Sequence, residues 1–336
     1  MVMDTLIKTA ADSVLKRYSP FIDALILIGS YARGEEIVRR KEEGMPVFVS
    51  DLEFMVVVKP EAFPLTVDAK AIESELDRKI EITIGQTTVQ HLNRLRPYIF
   101  TVELKRFGKV LWGNKGILER IPNYREKDID PVDAFVLLNN RIVEQLQLRL
   151  KIDKGEALDK YLFDKGYVQI VNSFLGFNGR YQCLYPDKLR EFSNLKDREA
   201  LDLLPAVKQA FENIKNGKME KVDKDNCLKR WVALNEAIRK IWLYEARKLL
   251  KQPQLELGQA IMMLPSIVPI ADRIKGWLKL LKQSKASSLK GEILPNLLKT
   301  SPQFLIYQEA VLLYFDEKFD KEKAKKIVEK WEKIVK

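Results

Sequence analysis

Apolar positions in the first third of the chain recur with two different periods. Residues 3–17 carry them at helical spacing, and "DALILIG" (23–29) follows as an apolar run ending on glycine, which predicts a helix and then a buried strand. A second strand is predicted over about 47–59 in "VFVSDLEFMVVVK" and a helix over 68–77. A strand follows at 78–85 ("RKIEITIG"), a helix near 87–95, a strand at 98–106 ("PYIFTVELK") and the closing "KVLWG". Short mixed strands with helices on one side predict an α/β or α+β domain built on a mixed sheet.

Past "GNKGILERIPNYREKDIDP" the strand signal ends. Amphipathic helices are predicted at 131–152, 156–176, 187–193, 197–215, 222–250, 257–282, 287–299, 302–315 and 320–335, with breaks at Gly, Pro or pairs such as Asn178-Gly179. Pro131 after Asp130 suits the first position of a helix. The reading is therefore an α/β domain over 1–115 and an all-α domain over 130–336, with the boundary between 114 and 131. No fixed-period repeat or low-complexity segment is present.

Composition narrows the chemistry. The chain has 336 residues, one histidine (His91) and two cysteines (Cys183 and Cys227). One histidine gives a zinc site or a Ser-His-Asp triad little to work with, and two distant cysteines suit thiols in a reducing cytosol. No apolar run approaches the ~20 residues that span a bilayer, and the N-terminus lacks the apolar core of a signal peptide. A cytoplasmic protein with no membrane partner is expected.

The net charge of +11 is unevenly placed: residues 1–115 hold 17 Lys+Arg and 16 Asp+Glu, leaving 41 and 31 for the rest. A basic second half suits an anionic ligand such as a nucleotide or RNA. A solvated helical surface explains it equally well, since the Lys residues of "DKEKAKKIVEKWEKIVK" alternate with Glu at helical spacing.

Three stretches carry candidate chemistry. In "ILIGSYARGEE" a Gly-Ser turn ends the first strand, where backbone N–H groups and the Ser30 hydroxyl can meet phosphate and Arg33 can neutralise it. In "SDLEF", Asp51 and Glu53 are two apart on a strand and project to one face; their mutual repulsion is relieved by a hard cation such as Mg²⁺. In "KIEITI", Glu81 is a lone acid among β-branched residues. If its strand neighbours the second, it completes a three-carboxylate cluster for a two-metal site.

Together "IGSYARGE", "SDLEFMVVV" and "KIEITI" resemble the nucleotidyltransferase superfamily of DNA polymerase beta, marked by Gly-Ser, Asp-x-Asp/Glu and a third acid. The resemblance covers about residues 1–115, and the later "ELKRFGKVLWGN" resembles the strand that often closes this domain. It implies that Gly29 and Ser30 hold the triphosphate of an NTP such as ATP, with Arg33 supporting. It implies Mg²⁺ on Asp51 and Glu53, with Glu81 as the third acid acting on the acceptor hydroxyl. An NMP would move to that hydroxyl and pyrophosphate would leave.

Two features depart from the family pattern. The interval from Ser30 to Asp51 is long, so "EEIVRRKEEGMP" (35–46) reads as an inserted flap or hairpin. The second and third acids are Glu, where Asp is commoner. Helical second domains of such proteins often set a Lys or Tyr over the triphosphate and base; Arg141, Lys165 and Tyr167 are candidates for this or for packing. Glu144 is a candidate base. The aromatic residues of "GFNGRYQCLY" read as core or as a base-stacking surface. The acceptor stays open among a small molecule, a protein hydroxyl and an RNA 3′ end. The alternative function is an inactive module of the same fold that binds a nucleotide or a partner.

Overall fold

Two runs of aliphatic residues, Ile22–Ile28 (β1) and Leu52–Val58 (β4), form the centre of a four-stranded mixed sheet. The strand order is β5–β4–β1–β6, where β5 is Ile82–Thr87 and β6 is Lys109–Gly113. β1 is antiparallel to β4 and β6, and β4 is parallel to β5. Apolar character is continuous from Ala24 to Ile28 and from Phe54 to Val58 because both faces are covered. On one face Leu25, Leu27, Phe54 and Val56 pack with Leu6, Ala10 and Val14 of Val2–Tyr18 (α1) and Ile72 of Ala69–Glu73 (α3). On the other, Ile26, Ile28, Met55 and Val57 meet Leu92 of Val89–Leu92 (α4) and Leu104 of Ile99–Phe107 (α5). Helices on one side were expected; the sheet is sandwiched instead. Each aliphatic side chain so buried contributes about 1.5–3 kcal/mol.

The computed structural model describes residues 2–40, 46–76, 80–217, 220–282 and 296–334. The chain divides into two units: Met1–Asp130 with Tyr181–Lys188 and Lys215–Gly217, and Pro131–Arg180 with Leu189–Ile214 and Lys218–Lys336. The octet 181–188, which the helical pattern assigned to the second half, belongs to the first unit.

Several elements of the first unit differ from the sequence reading. The segment 98–106, expected as a strand, is helix α5. Its β-branched and aromatic residues look strand-like. Yet Ile99, Val102 and Phe107 enter one cluster and Leu104 another, a distribution that helical spacing provides and tertiary packing favours. The predicted strand over 47–59 is two strands, Pro46–Phe48 (β3) and β4, interrupted at 49–51. β3 pairs antiparallel with Val38–Arg40 (β2), so the insertion is a hairpin whose residues 41–45 lie outside the described ones.

In the second unit the expected helices form with shifted ends. Pro131–Asp153 (α6), Tyr161–Phe177 (α7) and Lys224–Leu250 (α10) pack on one another. α7 approaches α10 closely at Gly166, where a Cβ would sit 2.4 Å from Leu234 Cδ2. Tyr185–Ser193 (α8) from Leu189 onward, and Arg198–Lys215 (α9) up to Ile214, precede α10. The single helix expected over 257–282 is two, Leu257–Met263 (α11) and Ile270–Lys282 (α12), because Pro265 and Pro269 deny the backbone its N–H groups. Most of the helix expected at 287–299 lies outside the described residues. Pro302–Tyr314 (α13) and Lys321–Ile334 (α14) close the chain. Leu158–Asp159 (β7) and Lys221–Val222 (β8) form a two-residue ladder that the helical pattern did not signal.

Some buried polar groups of this unit are paired across helices. Asn140 Oδ1 on α6 accepts from Tyr307 Oη of α13 at 2.5 Å and from Trp331 Nε1 of α14 at 3.0 Å. Glu245 on α10 is wholly buried, with its oxygens 2.9 and 3.0 Å from Ser173 Oγ of α7. Ser173 Oγ also donates to the Ala134 carbonyl at 2.8 Å. Among the described residues no helix is long and apolar enough to cross a membrane.

Candidate active site

β1 ends at Ile28, and Gly29–Arg33 forms a short helix (α2) that begins at Gly29 with φ +69° and is closed by Gly34 at φ +71°. The N–H groups of Gly34 and Glu35 both donate to the Ser30 carbonyl, which fixes the turn. Ile28 lies opposite Glu53 in the β1–β4 register, and a Cβ on Gly29 would fall 2.0 Å from Glu53 Oε1. The turn thus needs glycine both for its left-handed backbone and for the space that the Glu53 carboxylate fills.

Gly34 provides the control, because a Cβ there meets nothing within 4 Å. Gly29→Ala and Gly34→Ala are each expected to lose about 1–2 kcal/mol from the left-handed backbone. Only Gly29→Ala should lose more than this in thermal denaturation, because it also displaces Glu53. Equal losses in the two variants would contradict the close contact.

Asp51 and Glu53 share the sheet face of Met55 and Val57, the face that α5 covers. Both are half-buried, and Thr83 Oγ1 of β5 donates to Asp51 Oδ2 at 3.2 Å. Thr83 is the register partner of Glu53, and Leu52 N–H donates to the Glu81 carbonyl at 2.8 Å. Glu81 therefore sits beside the start of β4, with an exposed side chain.

The expected cluster of three carboxylates is not assembled. Among the described residues no group of three His, Cys, Asp or Glu is placed to hold a metal ion. β5 begins only at Ile82, so Glu81 precedes the strand instead of projecting from its middle. Asp51 and Glu53 remain a pair of hard oxygen donors, half-exposed on one face, and such a pair suits Mg²⁺, which completes its shell with water and phosphate oxygens.

Arg33 does not present a free guanidinium. Its Nε bonds Glu35 Oε2 at 3.1 Å and its Nη1 bonds Glu103 Oε2 of α5 at 2.8 Å. Burial works against its charge, but Glu103 and Glu35 outweigh burial and its pKa rises. Through these two carboxylates Arg33 braces the turn within the unit. Glu103 also accepts from Tyr181 Oη at 2.5 Å and lies 3.7 Å from Lys188 Nζ. Glu35 Oε1 accepts from the Tyr185 N–H at 2.5 Å. Lys188 is 1 % exposed, and burial lowers its pKa against the pull of Glu103. Burial likewise pushes Tyr185 up to about 12.

A pocket of about 150 Å³ is lined by Gly29, Arg33, Glu53, Phe100, Glu103 and Phe107 among others. That is smaller than the roughly 300–1,000 Å³ of clefts that enclose a whole ligand. It can take one small polar group beside Glu53.

The remaining candidates lie in the second unit. Lys165 and Tyr167 are half-buried on α7, and burial raises the Tyr167 pKa. Glu144 on α6 is ion-paired with Arg141, whose pKa burial lowers to about 10. Tyr181 is fully buried in the first unit with Val102 and Ile129, which makes its ring core and not a base-stacking surface. Cys183 and Cys227 are buried free thiols, and His91 is exposed on α4.

Glu103 and Lys188 escaped the sequence reading. The one available signal was Glu103 as a lone acid in "YIFTVEL", and reading that segment as a strand concealed it. Comparisons with protein-family models, with curated proteins and with solved structures find no match for this chain.

Proposed function

We propose that the chain is a Mg²⁺-dependent nucleotidyltransferase that moves an NMP from an NTP to an acceptor hydroxyl and releases pyrophosphate. The observation that carries the reading is the contact of the Gly29 turn with Glu53, beside Asp51 on the same sheet face. A turn with N–H groups at the start of a helix suits phosphate oxygens, and the two carboxylates suit the cation that accompanies them.

In this reading Gly29 and Ser30 hold the triphosphate, and Asp51 and Glu53 hold the ion. When bound, Mg²⁺ supplies positive charge to the triphosphate and to the departing pyrophosphate. Thr83 keeps Asp51 oriented through its hydrogen bond. The acceptor oxygen bonds to the α-phosphorus as the bond to the bridging oxygen of the β-phosphate breaks. Glu81, at the edge of this face, receives or orients the acceptor proton.

The test supplies each NTP with Mg²⁺ and three acceptor pools: amino-alcohol small molecules, folded proteins and RNA 3′ ends. Pyrophosphate release that requires both Mg²⁺ and one pool is the expected result, and that pool names the acceptor class. NTP binding by calorimetry without release from any pool would instead support the silent nucleotide-binding module. No binding of any NTP would end the reading.

A further inference from the structure

Four charged side chains meet behind the Gly29 turn: Arg33, Glu35, Glu103 and Lys188. Their formal charges cancel, and the side chain of Arg33 is 12 % exposed and that of Lys188 2 %. Buried ion clusters are poor sources of stability, because desolvation offsets most of the attraction, but they fix one arrangement in space. The arrangement fixed here is that of α2. Arg33 is its last residue, and Glu35 follows the Gly34 that closes it.

Three contacts of this cluster come from residues 181–188. Tyr181 Oη donates to Glu103 at 2.5 Å, and Glu103 in turn holds Arg33 at 2.8 Å. Lys188 Nζ stands 3.7 Å from the same carboxylate and 5.0 Å from the centre of the Tyr181 ring. The Tyr185 N–H holds Glu35 from the other side. With one partner of such a cluster removed, the remaining buried charge seeks another partner, and the turn loses its anchor.

We infer that Tyr181 and Lys188 are positioning residues for the Gly29–Arg33 turn and act on it through Glu103 and Arg33. They touch neither the turn's N–H groups nor Asp51 in any contact described above, so their effect is on where the turn sits. Only the meaning of the turn as a phosphate holder rests on the proposed function; its positioning does not.

The experiment is amide hydrogen exchange on the full chain, read by mass spectrometry over peptides spanning 29–35 and, as a reference, 24–28 of β1. In Tyr181→Phe and in Lys188→Met, exchange over 29–35 is expected to quicken about tenfold while β1 is unchanged. In a Glu103→Gln background, Tyr181→Phe should add less than about twofold, since the path through Glu103 is already cut. Unchanged exchange over 29–35 would overturn the inference. So would equal quickening of 29–35 and β1, or a full tenfold effect of Tyr181→Phe in the Glu103→Gln background.

A second measurement is the affinity for inorganic pyrophosphate with Mg²⁺, expected to weaken about fivefold in Tyr181→Phe. Wild-type binding with no weakening in the variant counts against the inference. A wild-type chain that binds no pyrophosphate counts against the proposed function, and the exchange arms then decide the inference alone.

Discussion

In the proposed reaction Asp51→Asn is expected to cut pyrophosphate release about a hundredfold or more, because a ligand to a catalytic ion is worth several kcal/mol in the transition state. The thermal midpoint will stay where it was or rise slightly. Asparagine has the shape of aspartate and still offers an oxygen to Thr83 Oγ1, which lies 3.2 Å from Asp51 Oδ2. What disappears is the charge. In the absence of a cation that charge repels Glu53, two residues along on the same face, so its removal costs the fold nothing. Release rates and denaturation midpoints, measured on the same preparations, separate the two effects. Undiminished release by Asp51→Asn would remove Asp51 from the metal assignment.

Glu245→Gln will stabilise the protein at neutral pH, and the gain will depend on pH. Burial lifts the Glu245 carboxyl from 4.5 to about 8, although Ser173 and Lys248 pull it down. The hydrogen-bond pattern agrees with a neutral acid. The Ser173 hydroxyl has one proton for three acceptors, the Ala134 carbonyl and the two Glu245 oxygens, and a protonated Glu245 supplies the second proton that this cluster needs. Below pH 4.5 folded and unfolded chains are both protonated here and no penalty arises. Between 4.5 and 8 only the folded chain holds the proton, so stability falls by about 1.4 kcal/mol per pH unit.

By pH 7 the loss is on the order of 3 kcal/mol, and above pH 8 it levels off. Glutamine does not titrate and can donate its amide hydrogen to Ser173. The two proteins should therefore melt together near pH 4 and separate by several degrees at pH 8. Equal midpoints across that range would show that Glu245 carries no buried proton.

The central strands and the acid pair were legible because their causes are local. "ALILI" and "MVVV" are apolar without alternation, as strands covered on both faces must be, and Asp51 and Glu53 share a face by strand geometry alone. The brace was not legible. The bond from Tyr181 to Glu103 spans 78 residues, and neither "RYQCLYPDK" nor "FTVELKR" shows a pattern that names the other. α5 was misread for a related reason. Its β-branched residues favour a strand in isolation, and only the two clusters that receive them, one around Leu104 and one around Val102, select the helix. The contacts that Arg33 makes are set by Glu35 and Glu103, and the second of these is 70 residues away.

The octet 181–188 also bears on the order in which the chain is made. A ribosome that has finished Glu103 still has 85 residues to add before Lys188 exists, which takes roughly 4–17 s at ordinary elongation rates. Once Gly113 has been added, well before Lys188, all four strands of the sheet exist and can pair. Val102 and Ile129, however, await Tyr181 and Cys183, and Glu103 awaits two of its donors. The nascent first unit therefore has a complete sheet before it has a settled turn, and the octet arrives only after α6 and α7 have been synthesised.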